Sequence, residues 1–225
     1  MAWLKIRLIA EGNLLAREKG KTSMKNFFGY GQELEKAIGG CKSVLDIGCG
    51  AHSPIKAFSG RFYSVGVDIH EPSIKESAMK KIHNGYHVMD ILNIGKKFRQ
   101  KSFDCVVCLD VIEHFTKEDG KKLIVQMEQI SIKKTIIVTP SGFLRQEQDK
   151  DNLYQEHKSG WTAGEMRSLG YKVVGISGLK YLRGEYGNIR LRPGRFWLRV
   201  SKLTQTVVRF YPELSFHLLS VKKFN

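Results

Sequence analysis

Three aspartates stand where short apolar runs give way to turns, and together they outline a place for a charged nucleoside. The run Val44-Leu-Asp-Ile-Gly-Cys-Gly50 reads as a buried strand that carries an acid, passes through two glycines and enters a helix near Ser53. Glycines at such a turn let a ligand approach the backbone. Eighteen residues beyond Gly50, Asp68 ends a second apolar run, where a carboxylate can accept both hydroxyls of a ribose. Asp90 ends a third, about where a purine edge would lie. Gly48, Gly50 and Asp68 would also suit a nicotinamide dinucleotide, but two features argue against it. Asp46 precedes the first glycine, where it would repel a pyrophosphate and favour a cation, and Ala51-His52 occupies the place of the third glycine. Taken singly, each acid also reads as a strand-end carboxylate capping the next helix.

A second group could do acid-base work. His114 follows the apolar run 103–110, and His157 lies in a long polar connection, 140–161, with Tyr154 and Trp161 nearby. Either histidine could take a proton from a hydroxyl acceptor. Asp110, Glu113 and His114 are spaced i, i+3 and i+4, so with His157 they could alternatively bind magnesium, manganese or zinc. The expectation adopted is a site without metal, in which Glu113 is a helix-start carboxylate and His114 an acid-base or packing residue.

These residues need a scaffold that brings strand ends together. From about Ser43 onward, Val- and Ile-rich runs alternate with segments that carry helix caps, the pattern of repeated βαβ units. Strands are expected at 43–47, 63–69, 86–91, 103–110, 135–139, 171–177 and 215–222, enough for one seven-stranded sheet. Helix starts are marked by Ser53 before Pro54, by Pro72, by Thr116 with Asp119, and by a Thr162/Glu165 capping box. Between 178 and 213 lies a basic insertion. Its Phe196, Trp197, Val200, Leu203, Val207 and Phe210 are spaced as on an amphipathic helix that covers the sheet edge or the site mouth. The chain is expected to divide into an N-terminal helical segment, 1–41, covering the site, and a catalytic domain, 42–225.

Composition sets outer limits. The 225 residues carry a formal charge of +15, with 42% hydrophobic and 26% charged residues, which excludes wholesale disorder. Ten Lys or Arg fall between 179 and 225 against Glu185 and Glu213, a field that attracts RNA or an acidic membrane surface. Cys41, Cys49, Cys105 and Cys108 lack the density of a secreted disulfide framework, so a reducing cytoplasm is expected. Cys105 and Cys108, three apart on one strand, face opposite ways and form no zinc or redox pair. No apolar run is long enough to span a bilayer. Residues 1–15 mix apolar and basic side chains and read as a helix folded back on the domain.

Val44-Leu-Asp-Ile-Gly-Cys-Gly50, Gly66-Val-Asp-Ile69, Met89-Asp-Ile91 and Phe103-Asp-Cys-Val-Val-Cys-Leu-Asp-Val-Ile-Glu-His114 resemble the successive motifs of class I S-adenosylmethionine-dependent methyltransferases over roughly 42–177. The resemblance implies a Rossmann-like α/β fold with S-adenosyl-L-methionine as cofactor. It implies that Asp46, Gly48 and Gly50 surround the methionine part and Asp68 binds the ribose. Asp90 and Ile91 would then meet the adenine, Ile69 would also contact the cofactor, and the Leu109 backbone would lie near the methionine ammonium. The Asp110, Glu113, His114 and His157 pattern is similar to metal-dependent 2'-O-methyltransferases of small RNA and, in its first half, to ubiquinone-pathway O-methyltransferases. The expected activity is methylation, at oxygen, of a small-molecule or glycan-like acceptor. An RNA methyltransferase and a cofactor-binding protein without turnover are the alternatives.

Overall fold

The computed structural model describes residues 29–147, 152–184 and 187–224. The reading of residues 1–15, and residues 1–28 of the N-terminal segment expected to cover the site, lie outside the described residues. Seven strands form one sheet: β1 (Ser43–Ile47), β2 (Tyr63–Asp68), β3 (Gly85–Val88), β4 (Phe103–Leu109), β5 (Ser131–Pro140), β6 (Lys172–Leu179) and β7 (Ser215–Lys223). Their order is β3-β2-β1-β4-β5-β7-β6, parallel except for β7, which runs against both neighbours. The alternating pattern indicates such repeated βαβ units in one sheet, and the arrangement is the Rossmann-like α/β fold that the motif resemblance implies. The chain reverses direction of travel between β1 and β4, and at such a switch point the connections leave on opposite faces and open a crevice at the strands' carboxyl ends.

Around the sheet lie α1 (Tyr30–Ile38), α2 (Glu71–Met79), α3 (Ile94–Lys97), α4 (Lys117–Ile130), α5 (Ala163–Ser168), α6 (Gly194–Leu203) and α7 (Gln205–Val208). All seven residues of β4 are buried, because helices cover both sheet faces and leave no polar side. Side chains alternate, so Val106 and Cys108 join Leu123 and Met127 of α4 on one face, while Cys105 and Val107 join Leu34 and Ile38 of α1 on the other. Cys105 and Cys108 therefore face opposite layers, and the four cysteines are free thiols.

The caps act as their residue types suggest. Thr162 accepts from the Glu165 amide at 3.2 Å, and Glu165 accepts from the Thr162 amide at 2.8 Å, a complete capping box. Pro72 lies in the first turn of α2. After Ser53 the chain forms a 3-10 stretch, Pro54–Arg61, broken at Phe58, whose φ of −141° is not helical. The third strand stops at Val88, two residues short of Asp90, because the Asp90 carboxylate accepts from the Leu92 amide at 2.9 Å and turns the chain into a 3-10 turn. Strand β5 begins at Ser131, directly after α4, earlier than the apolar run alone indicates.

Candidate active site

A cavity of about 730 Å³ opens at the carboxyl ends of β1, β2 and β4. Its glycine turn is set by sterics. Gly48 has φ +70°, and a Cβ there would fall 2.5 Å from Val111 Cγ2, so no other residue fits between β1 and the turn after β4. The amides of Gly48 and Cys49 both donate to the Val67 carbonyl, at 2.7 and 3.0 Å, which fixes the loop against β2. Gly50 donates its amide to Asp68 Oδ2 at 2.8 Å, and the His70 amide donates to Oδ1 at 2.8 Å. Each Asp68 oxygen keeps a further lone pair, as a carboxylate that grips a diol requires.

Asp46 is buried at the bottom of this turn. Burial pushes its pKa up to about 7, the Ser53 hydroxyl donating to Oδ2 at 2.5 Å works against that rise, and the Asp68 charge adds to it. His83 Nε2 approaches Oδ2 to 3.4 Å, but burial lowers the imidazole to about 4, so at neutral pH this contact is not an ion pair. A cation beside Asp46 would restore its charge.

At the end of β4, Asp110 adopts φ +56°. Its Oδ2 accepts from the Tyr30 hydroxyl at 2.9 Å, and its Oδ1 lies 3.4 Å from His217 Nε2. Burial raises Asp110 to about 7, against the Tyr30 hydrogen bond, and burial also keeps His217 neutral. Beyond it a short 3-10 turn, Ile112–His114, presents two further groups. Glu113 is buried, accepts from the Thr139 hydroxyl at 3.0 Å, and is raised well above the carboxylate range by burial and then by the Asp110 charge.

The two expected histidines come together from 43 residues apart in sequence. Their ring centroids are 4.9 Å apart. His114 Nδ1 lies 3.0 Å from the Glu156 carbonyl and His157 Nδ1 lies 2.7 Å from the Leu144 carbonyl. A carbonyl only accepts, so each Nδ1 carries the hydrogen and each Nε2 keeps a lone pair. Burial holds His114 down to about 4 and lowers His157 as well, so both rings are neutral near pH 7. One ligand atom each from Glu113, His114 and His157 lies within 4.8 Å of the others. Asp110 is not in that cluster, since its carboxylate is turned toward Tyr30 and His217.

Asp46, Gly48, Gly50, Asp68, Ile69 and Asp90 all line the cavity, as do Ile91, Leu109, Asp110 and His114. Glu113 and His157 stand behind His114 and are not part of the wall. His52 is at the wall, and its ring is drawn toward Lys80 Nζ at 3.0 Å and Glu76 at 3.3 Å. The sequence gives no sign of Tyr30, which reaches Asp110 across 80 residues. Ser53 reads only as a helix start, yet it also holds the Asp46 carboxylate.

Residues 45–139 match the family model described as a methyltransferase domain. That segment carries a methyltransferase domain, and its motifs are similar to those of the class I S-adenosylmethionine-dependent methyltransferases. The matched segment runs from β1 to the end of β5. No curated protein sequence matches it. Among solved structures, the chain is similar to a SAM-dependent methyltransferase from Archaeoglobus fulgidus at 19% identity, over 86% of this chain and 90% of that one, with a TM-score of 0.56. It is similar to the methyltransferase domain of bacterial CtHen1-C at 16% identity, over 86% and 94%, with a TM-score of 0.53. It is also similar to the plantazolicin methyltransferase BpumL, solved with SAH, at 18% identity, over 96% and 89%, with a TM-score of 0.51. Identities this low speak for the fold alone. Among the described residues no helix is long and apolar enough to cross a membrane.

Proposed function

We propose that the enzyme methylates a hydroxyl oxygen of a small-molecule or glycan-like acceptor, with His114 as the base beside the acceptor. The observation that carries this reading is His114 at the cavity wall with His157 packed behind it, each ring anchored through Nδ1 with a lone pair left on Nε2. S-adenosylmethionine supplies a methyl group on a sulfonium, already a strong donor, so the protein's task is alignment and proton removal. In this reading Asp46, with the backbone of Gly48 and Gly50, holds the methionine part, and Leu109 lends its backbone to the ammonium. Asp68 takes the ribose hydroxyls, with Ile69 beside them, and Asp90 and Ile91 meet the adenine. A cavity of about 730 Å³ is of a size to hold the cofactor and part of an acceptor. His114 Nε2 accepts the hydroxyl proton as the acceptor oxygen takes the methyl group, and His157 packs against the ring and holds its orientation.

A second reading is favoured by the approach of Glu113, His114 and His157 to within 4.8 Å of one another. Two neutral imidazoles and a carboxylate suit a divalent transition metal. These three residues would hold the ion, which would polarise an acceptor hydroxyl such as a ribose 2'-hydroxyl of RNA. The buried Glu113, with no cation beside it among the described residues, fits that use.

Purified enzyme incubated with methyl-labelled cofactor and fractionated cell extract, with and without chelator, separates the readings. Label in small molecules or glycans, insensitive to chelator, supports the first. Chelator-sensitive label in RNA supports the second. Cofactor binding without transfer to any fraction refutes both and leaves a binding protein.

A further inference from the structure

We propose that the helical element formed by α6 and α7 is an interfacial anchor that seats the enzyme on an anionic lipid bilayer. The helix is continuous. Thr204, between the two segments, has φ −70° and ψ −10°, and the Thr204 and Val208 amides donate to the Val200 and Thr204 carbonyls at 3.0 and 2.9 Å. Its packing is inverted. Toward the sheet it presents Ser201, Gln205 and Val208, all buried, two of them small or polar. Glycines of β6 permit the close approach: a Cβ at Gly178 would fall 2.3 Å from the Ser201 carbonyl and one at Gly175 would fall 2.0 Å from that of Val208.

The apolar stripe therefore points away from the protein. At 3.6 residues per turn, Phe196, Leu203, Val207 and Phe210 share one side, roughly opposite Gln205. They are 55%, 76%, 54% and 76% exposed. A helix that served only to cover the sheet edge would turn this stripe inward, as α4 does with Leu123, Ile124 and Met127. Water-facing Phe and Leu at helical spacing need an apolar environment to be anything but unfavourable.

Charge identifies that environment. Arg195, Arg199 and Lys202 flank the stripe, and Arg190 and Arg192 precede the helix. None of these five has a carboxylate partner among the described residues, whereas Arg209, on the sheet side, is paired with Glu33 at 2.5 Å. An apolar stripe bordered by unpaired cations matches an acidic bilayer surface, where the side chains enter the acyl boundary and the cations meet the headgroups. RNA would satisfy the cations but leave Leu203 and Val207 in water, so a nucleic acid is the poorer match. The anchor adjoins the active site, since Gln205 packs on Gly29, the residue before Tyr30 of the cavity wall.

The test is flotation of the full chain with vesicles of phosphatidylcholine containing about one third phosphatidylglycerol, against pure phosphatidylcholine. The wild type is expected to float with the anionic vesicles at least about tenfold more than with the neutral ones. The double variant Leu203→Asp/Phe210→Asp and the triple variant Arg195→Glu/Arg199→Glu/Lys202→Glu are each expected to lose about tenfold or more of that binding while melting like wild type, because the altered side chains are outside the core. The proposal is overturned if the wild type does not float. It is also overturned if Leu203→Asp/Phe210→Asp floats like wild type, which would mean charge attraction alone. Two further results do the same: retention on RNA without vesicle binding, and self-association abolished by the apolar variant without vesicle binding.

Discussion

Asp46→Asn removes a charge from the floor of the site while keeping an oxygen that can accept from Ser53 at 2.5 Å. Without cofactor, burial raises Asp46 from the ordinary 3.8 to about 7. A rise of that size means that holding the ionised carboxylate costs on the order of 4 kcal/mol at neutral pH. A carboxyl whose pKa is higher in the folded than in the unfolded chain binds more protons when folded between those two values. The stability of the cofactor-free protein should therefore fall as pH rises from about 4 to about 7 and level off above. Asp46→Asn should be more stable than wild type at pH 8 by as much as about 4 kcal/mol, and the gap should close below about pH 4. Cofactor binding should change in the opposite sense. If the cationic methionine end requires ionised Asp46, the competent fraction is about one tenth at pH 6 and about three quarters at pH 7.5, so wild-type affinity should rise about eightfold between them. The variant should bind at least about tenfold more weakly and with a flat profile, because it lacks a charge-assisted contact. Urea titrations and calorimetry across that range check both effects. Wild-type affinity in Asp46→Asn, or a pH profile that survives the substitution, would refute the reasoning.

Three other substitutions probe separate links. Gly178→Ala places a methyl group 2.3 Å from the Ser201 carbonyl at φ +74° and should cost about 2 kcal/mol or more in urea unfolding. Thr162→Ala removes half of the capping box on α5 and should cost about 1 kcal/mol in the same assay, with the methyl-transfer rate unchanged. His114→Ala should lower turnover by roughly 10²–10⁴-fold while the cofactor dissociation constant stays within about twofold, a split that steady-state kinetics beside calorimetry would display.

The sheet was readable because alternating apolar runs and caps are local signals. All seven strands appear where the runs fall, and Thr116, Thr162 and Pro72 open helices through contacts within four residues. The turn after β1 was readable for the same reason, since Gly48 and Gly50 are demanded by backbone shape. The end of β3 is not legible in the sequence, because a single bond donated by the Leu92 amide to the Asp90 carboxylate competes with strand extension, and periodicity carries no trace of it. Tyr30 was invisible, since its partner Asp110 is 80 residues away and only the packed fold joins them. Spacing suggested that Asp110 would share a helix face with Glu113 and His114. A positive φ at Asp110 and a single 3-10 turn send its carboxylate to Tyr30 instead. The amphipathic spacing of 196–210 was plain, but which side faces the protein depends on Gly175 and Gly178 of β6, residues outside the helix.

The central claim is that acids on β1 and β2, at the carboxyl edge of the sheet, hold S-adenosylmethionine. Calorimetric titration of the purified chain with S-adenosylmethionine, run alongside Asp68→Ala, tests it directly. Saturable binding to one site per chain, weakened at least about tenfold by Asp68→Ala through loss of the ribose contacts, is the expected result. No heat of binding in the wild type, or equal affinity in Asp68→Ala, would contradict it.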